Sequence, residues 1–245
     1  MKVEKESSNM AHGRVLDSLK NNALRKKLIH HPFFEAVRSG TLARKDVAVF
    51  LGQWWHPLHY FPNFLSRSIS VVPNLETKTA ICAILSEELG EGKPEMAHEQ
   101  IYIETMTAAG FSRQEIAEAP PLASTRELIQ GYERASSAPI SALGFVYGTE
   151  VADLAMVSGI GAAVRRVSGL KNLPWVDIHV LQEPHHVNEA SNALEPELSA
   201  EQYESVVASA EEMWRLWIAF FSELTQLVDE GSTEQHMAAS TAQTY

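Results

Sequence analysis

A single cysteine, Cys82, stands in a chain of 245 residues. That scarcity excludes an intramolecular disulfide and a thiolate metal cluster. Its place in the run Ala80-Ile81-Cys82-Ala83-Ile84-Leu85 reads as a small buried hydrophobe. Positive charge is also short: 20 Lys and Arg against 31 Asp and Glu leave a formal net charge of -11, which opposes attraction to nucleic acid and to anionic membrane surfaces. No uninterrupted apolar run approaches the roughly 18 residues of a membrane span, and the polar start Met1-Lys-Val-Glu-Lys-Glu-Ser-Ser has no signal-peptide core. These absences predict a cytoplasmic protein with no nucleic-acid or membrane partner. A Walker motif, a Gly-x-Ser-x-Gly elbow, a Gly-x-Gly-x-x-Gly loop and a His-Glu-x-x-His helix are missing too. Phosphate cradling, serine hydrolysis and zinc-hydrolase chemistry therefore lack their residues.

The hydrophobic content of 45% is enough for one continuous helical core. Apolar spacing predicts helices over about 14–29, 44–71, 75–90, 94–109, 113–118, 124–136, 139–168, 174–192 and 199–229, with almost no strand alternation. Ser112-Arg-Gln-Glu115 and Ser199-Ala-Glu-Gln202 have the capping-box pattern. Pro94, Pro139 and Pro174 suit first-turn positions, where the missing N–H costs nothing. No repeat or composition break interrupts 14–229, which reads as one all-α domain. The polar residues 1–13 and the Ser-, Thr-, Gln- and Ala-rich residues 230–245 read as flexible tails.

Six metal-ligand types are spread along this helical chain: Glu88, His98, Glu150, His179, Glu183 and His186. Carboxylates and imidazoles with that spread are what a helical protein uses to hold two iron or manganese ions. Glu88 follows Ile81, Ile84 and Leu85 by seven, four and three positions, so it shares their core-facing stripe. A carboxylate there must be protonated, paired or bound to a cation; Glu87 faces differently. Gly90-Glu-Gly-Lys-Pro94 permits a turn that brings Glu88 and His98 together from two helices, with Glu91 and Glu95 as alternatives. Glu150 lies on an apolar helix beside Leu143, Val146, Tyr147 and Leu154. His179, Glu183 and His186 return to one helix face, although Pro184 kinks or restarts the helix there and His185 competes with His186.

The segment Phe50 to Phe64 is aromatic and holds Trp54, Trp55, His56, His59, Tyr60 and Phe64. It packs as core by default, with Trp54, Trp55, Tyr60, Phe64 and, from the Glu150 helix, Tyr147 as candidate substrate contacts. The stripe Met213 to Phe221 reads simply as core.

In order and spacing, Glu88, His98, Glu150 and His179-x-x-x-Glu183-x-x-His186 resemble the haem-oxygenase-like di-iron oxidases, whose fold is shared with thiaminase II and pyrroloquinoline-quinone synthase. The resemblance spans most of residues 28–228 and includes His31-Pro-Phe-Phe, Gly40-Thr-Leu and Glu87-Glu88-Leu-Gly. It implies a bundle of about seven core helices, two Fe(II) ions held by all six residues, and dioxygen as co-substrate. The activity implied is oxidation of a small amino acid or derivative by N-oxygenation, desaturation, carbon–carbon cleavage or nitrile formation, in a specialised biosynthetic route. An external electron donor and a symmetric homodimer fit that reading. Glu183 departs from the aspartate usual at its position, as does the proline that follows it. Three readings compete: a fatty-acid oxidative decarboxylase of the same family, a metal-free thiaminase-II-like enzyme, and a non-enzymatic ligand-binding helical protein.

Overall fold

The computed structural model describes residues 18–181 and 198–242, and among them every regular element is helical. After a helical turn at 18–21 come α1 (Ala23–Ile29), α2 (Pro32–Ser39), α3 (Arg44–Val71) and α4 (Leu75–Glu88). A 3-10 turn (Pro94–Met96) leads into α5 (His98–Ala108), α6 (Arg113–Ala117), α7 (Ala123–Ala135), α8 (Pro139–Glu150) and α9 (Asp153–Ser168). Helix α10 covers 174–181 as described, and α11 runs Ala200–Ala242.

Local chemistry sets most boundaries. Pro32 opens α2, His31 Nδ1 accepts the Phe33 N–H at 3.2 Å, and Gly40 closes the helix at φ 75°. Both capping boxes form: Ser112 and Glu115 exchange bonds of 3.2 and 2.7 Å, and Ser199 and Gln202 bonds of 3.2 and 2.9 Å.

Five expectations are corrected. The helix expected over 14–29 is broken at Asn22, whose side chain accepts the Leu24 N–H and donates to Glu211, which favours a cap over helix continuation. Helix α2, absent from the sequence reading, is short but buries Phe33, Phe34 and Val37. The span 139–168 divides at Val151-Ala152 with a bend of 42°, so Leu154 leaves the Glu150 face and is exposed. Cys82 is exposed as well, because α4 turns Ala80, Ile81, Ile84 and Glu88 inward and position 82 points away from that stripe. The backbone stays helical from residue 200 to Ala242, past the expected end at 229.

The core is centred on α3, α8 and α11, with Phe33, Phe50, Phe220 and Phe221 meeting edge to face. Close approach of α8 to α11 depends on Gly144 and Gly148: a Cβ at the first would collide with Ser209 and the Val206 carbonyl, and one at the second with Met213. This contact fixes the helix that carries Glu150. Gln53, buried in α3, is fully bonded by the Pro120 carbonyl, the Leu122 N–H and the Thr125 hydroxyl, and it ties the 120–122 connection to α3. Among the described residues no single helix is long and apolar enough to cross a membrane.

Outside the core, Arg44 grips Glu115 at 2.8 and 3.1 Å. With the Ser112 N–H, that grip holds the Glu115 carboxyl at about 2, below its ordinary 4.5. A depressed folded-state pKa stabilises the protein above about pH 4.5, and the benefit is lost as pH falls toward about 2. Urea midpoints should therefore drop across that window, and Glu115→Gln should flatten that part of the pH profile. An unchanged profile in the variant contradicts the assignment.

Candidate metal centre

Glu88 is the last residue of α4 and His98 the first of α5. The turn between them uses left-handed backbone at Gly90, Glu91 and Gly92, with φ 80°, 52° and 83°. Gly90 also sits where any Cβ would strike the Lys93 carbonyl and the Ala97 N–H. Glu88 Oε2 and His98 Nδ1 thereby meet at 3.1 Å, with exposures of 6% and 2%. The pair is close but poorly aligned for a hydrogen bond, so that Nδ1 has no good hydrogen-bonding partner. A carboxylate oxygen and an imidazole nitrogen converging in this buried position suit joint ligation of a cation.

His179 completes the group from α10. Its ring lies 4.8 Å from that of His98 and 4.4 Å from that of Trp175. His179 Nδ1 is 2.7 Å from the Trp175 carbonyl, which only accepts, so Nδ1 carries a proton and Nε2 is the nitrogen available for ligation in the neutral ring. Metal-binding histidines are oriented by the same device. One ligand atom from each of Glu88, His98 and His179 lies within 4.8 Å of the others, and all three residues are buried.

Glu88 and His179 border a cavity lined also by Trp54, Pro57, Leu58 and Phe61 of α3, and by Tyr132, Thr149, Glu150, Asp153, Trp175 and Trp217. Its free volume is about 50 Å³, room for a few small-molecule atoms. Glu150 is buried in this wall, outside the close three-residue group. Tyr132 hydrogen-bonds Thr149 at 3.1 Å and receives the Trp217 indole at 3.3 Å. Burial pushes the Tyr132 phenol up to about 12, so it stays protonated.

Among the described residues the cavity is short of positive charge: neither lysine nor arginine lines it. Burial disfavours protonated His98, but the Glu88 carboxylate, with smaller contributions from Glu87 and Asp153, more than offsets this and raises its pKa. Burial, and then the charge of Glu88, push the Asp153 carboxyl well above the usual range. Both shifts follow from packing carboxylates together in a buried site.

The structure brings together Glu88, His98 and His179, with Glu150 on the same cavity. Glu183 and His186 lie outside the described residues, as does His185. Glu91 and Glu95, the alternative ligands, are exposed. Of the expected substrate contacts only Trp54 lines the cavity. On α3 the cavity-facing positions are 54, 57, 58 and 61, one helical stripe. Trp55 lies off it and stacks on His59 at 4.5 Å, and half-buried Tyr60 is likewise off it. Phe64 packs into the core against Tyr132 and Phe145, and Tyr147 is fully buried away from the cavity lining. His56 and His59 bond the Ala119 carbonyl and Glu99 instead. The sequence reading missed Asp153, Trp175 and Trp217. Asp153 had a signal, an acid three positions after Glu150 in an apolar stretch.

An all-helical bundle closing on buried Glu and His defines a candidate metal-binding helical protein, and comparison specifies its family. The chain belongs to the iron-containing redox enzymes, whose family model matches residues 48–218. No curated protein matches it significantly. Among solved structures, a CADD-like protein of unknown function from Nostoc punctiforme is similar at TM-score 0.75 and 12% identity, covering 91% of this chain and 99% of that one. A domain of unknown function with a haem-oxygenase-like fold from Shewanella denitrificans is similar at TM-score 0.68 and 20% identity, covering 93% and 92%. A TenA homologue from Pseudomonas syringae pv. tomato is similar at TM-score 0.67 and 11% identity, covering 87% and 92%. At these identities the likeness establishes the shared fold.

Proposed function

We propose that this protein is a non-haem di-iron oxidase or oxygenase that uses dioxygen to oxidise a small amino acid or amino-acid derivative in a specialised biosynthetic route. The observation that carries this reading is the buried convergence of Glu88, His98 and His179 within 4.8 Å on a cavity whose wall also bears Glu150. In the proposed centre Glu88, His98 and His179 hold one ion. Glu150 holds the second together with Glu183 and His186. Bound ferrous iron supplies activation of dioxygen, with electrons from an external donor where the reaction needs them. The protein's part is to keep the His179 tautomer fixed through the Trp175 carbonyl, to shield the site with indole and phenyl rings, and to hold the substrate beside the ions. A symmetric homodimer remains part of the proposal.

The wall supports a substrate with a polar head. The Trp54 and Trp175 indole N–H groups are buried without a hydrogen-bonding partner, and an indole nitrogen can only donate. Leaving such a donor unmet costs about 1–3 kcal/mol, so an acceptor on the substrate, such as a carboxylate, suits them. A fatty-acid decarboxylase calls for a long and wholly apolar tunnel, whereas this wall also carries Tyr132 and Thr149. A thiaminase-like reaction calls for a nucleophilic cysteine, and Cys82 is exposed and not part of the cavity lining.

Oxygen consumption by the iron-loaded protein, measured against a panel of amino acids and fatty acids, tests the reading. Amino-acid-dependent uptake with an oxidised product is expected, and uptake with fatty acids alone overturns the substrate assignment. With the active amino acid, Trp54→Phe should raise KM by roughly tenfold, the value of one hydrogen bond to a charged acceptor. An unchanged KM removes the indole from substrate recognition.

A further inference from the structure

Asp153 is the acid that the six-residue pattern omits. It is the first residue of α9, three positions after Glu150 and across the 42° bend that ends α8. It lines the same cavity as Glu88, Glu150 and His179. Among the described residues its carboxylate has no hydrogen bond or salt bridge. Its electrostatic partners are Glu88, which repels it, and His98, which attracts it. Among the described residues no lysine or arginine lines this wall, so the Asp153 carboxylate is costly there unless a cation joins it. The bend also sets the two acids at different helix ends. Glu150 closes α8, where the helix dipole disfavours negative charge, and Asp153 opens α9, where it favours it.

We propose that Asp153 is a metal ligand, supplying with Glu150 a second carboxylate to the second ion of the centre. The inference rests on the two-metal reading and extends it by one residue. Two carboxylates from a single helical break give that ion a hard oxygen pair, a donor set suited to iron or manganese. Net charge favours it as well: with Glu88, Glu150 and the proposed ligand Glu183, Asp153 brings the carboxylates to four, the charge of two divalent ions.

The alternative role for an acid at this position is to stabilise the first turn of α9, and metal titration separates the two. Purified metal-free full-length protein and Asp153→Asn are titrated anaerobically with Fe(II), and in parallel with Co(II), whose visible absorption reports its ligands. Two ions are expected in the parent. In the variant the first ion should bind as before, the second at least about tenfold more weakly, with an altered cobalt absorption for the second equivalent. Two ions of unchanged affinity and spectrum in the variant overturn the proposal while leaving the two-metal reading intact. Uptake of fewer than two ions by the parent overturns both. If the asparagine variant does not fold, Asp153→Glu carries the test, since it keeps the charge and displaces the oxygens by one methylene. A shifted cobalt band for the second ion is then expected, and a superposable spectrum refutes the assignment.

Discussion

His179→Ala is expected to lower Fe(II) affinity at the first ion at least about a hundredfold and to abolish turnover, while the helical content of the protein is kept. The expectation follows from the compactness of the group. Glu88 and His98 offer one ligand atom each from adjacent helix ends, and His179 is the third donor within 4.8 Å. With its imidazole removed, two protein ligands remain, too few to compete with water for a divalent ion. The ring is also oriented in advance by its 2.7 Å bond to the Trp175 carbonyl, so alanine removes a donor whose position has already been fixed. Because the ring packs against Trp175 and His98, modest destabilisation accompanies the substitution. Binding should therefore be measured by anaerobic titration alongside circular dichroism. Unchanged iron uptake by a folded His179→Ala protein excludes this residue as a ligand.

Glu150→Ala is expected to be equally severe for turnover and to act on the other ion. Glu150 is 3% exposed in the wall of the cavity, yet stands outside the close group of Glu88, His98 and His179. Its loss should leave about one iron per chain and reduce oxygen-dependent turnover by at least about a hundredfold, because two-ion chemistry needs both positions filled. Retained turnover with iron occupancy unchanged sinks the ligand assignment for Glu150.

Helices were legible wherever local chemistry agreed with apolar spacing. Helix α3, with an aromatic stripe and a first-turn acid, was read to its observed ends at 44 and 71. Breaks inside apolar stretches were not legible. Val151-Ala152 carries no proline or glycine, so no local breaker marks the bend. That bend is why Leu154 was placed on the wrong face and why Asp153 was passed over. Glu88 was readable because the same stripe that buries Ile81 and Ile84 buries it, and His98 because the Gly90 to Gly92 turn folds it back. Cys82 misled because a continuous apolar run hides which side of a helix faces the core. The substrate contacts misled for a related reason. Aromatic content marks a buried segment, but only helix phase, seen at 54, 57, 58 and 61, selects the residues that reach the cavity. Trp175 and Trp217 come from helices distant in sequence, and their meeting with Trp54 at 6.3 and 5.0 Å is a product of the tertiary fold.

Anaerobic Fe(II) titration of the metal-free protein, alone and with candidate amino acids present, followed by exposure to oxygen under optical detection, tests the central claim most directly. The account predicts about two irons per chain and an oxygen-dependent absorbance change that needs both. No iron uptake under either condition contradicts it and turns the buried Glu88, His98 and His179 into residues that bind substrate without metal.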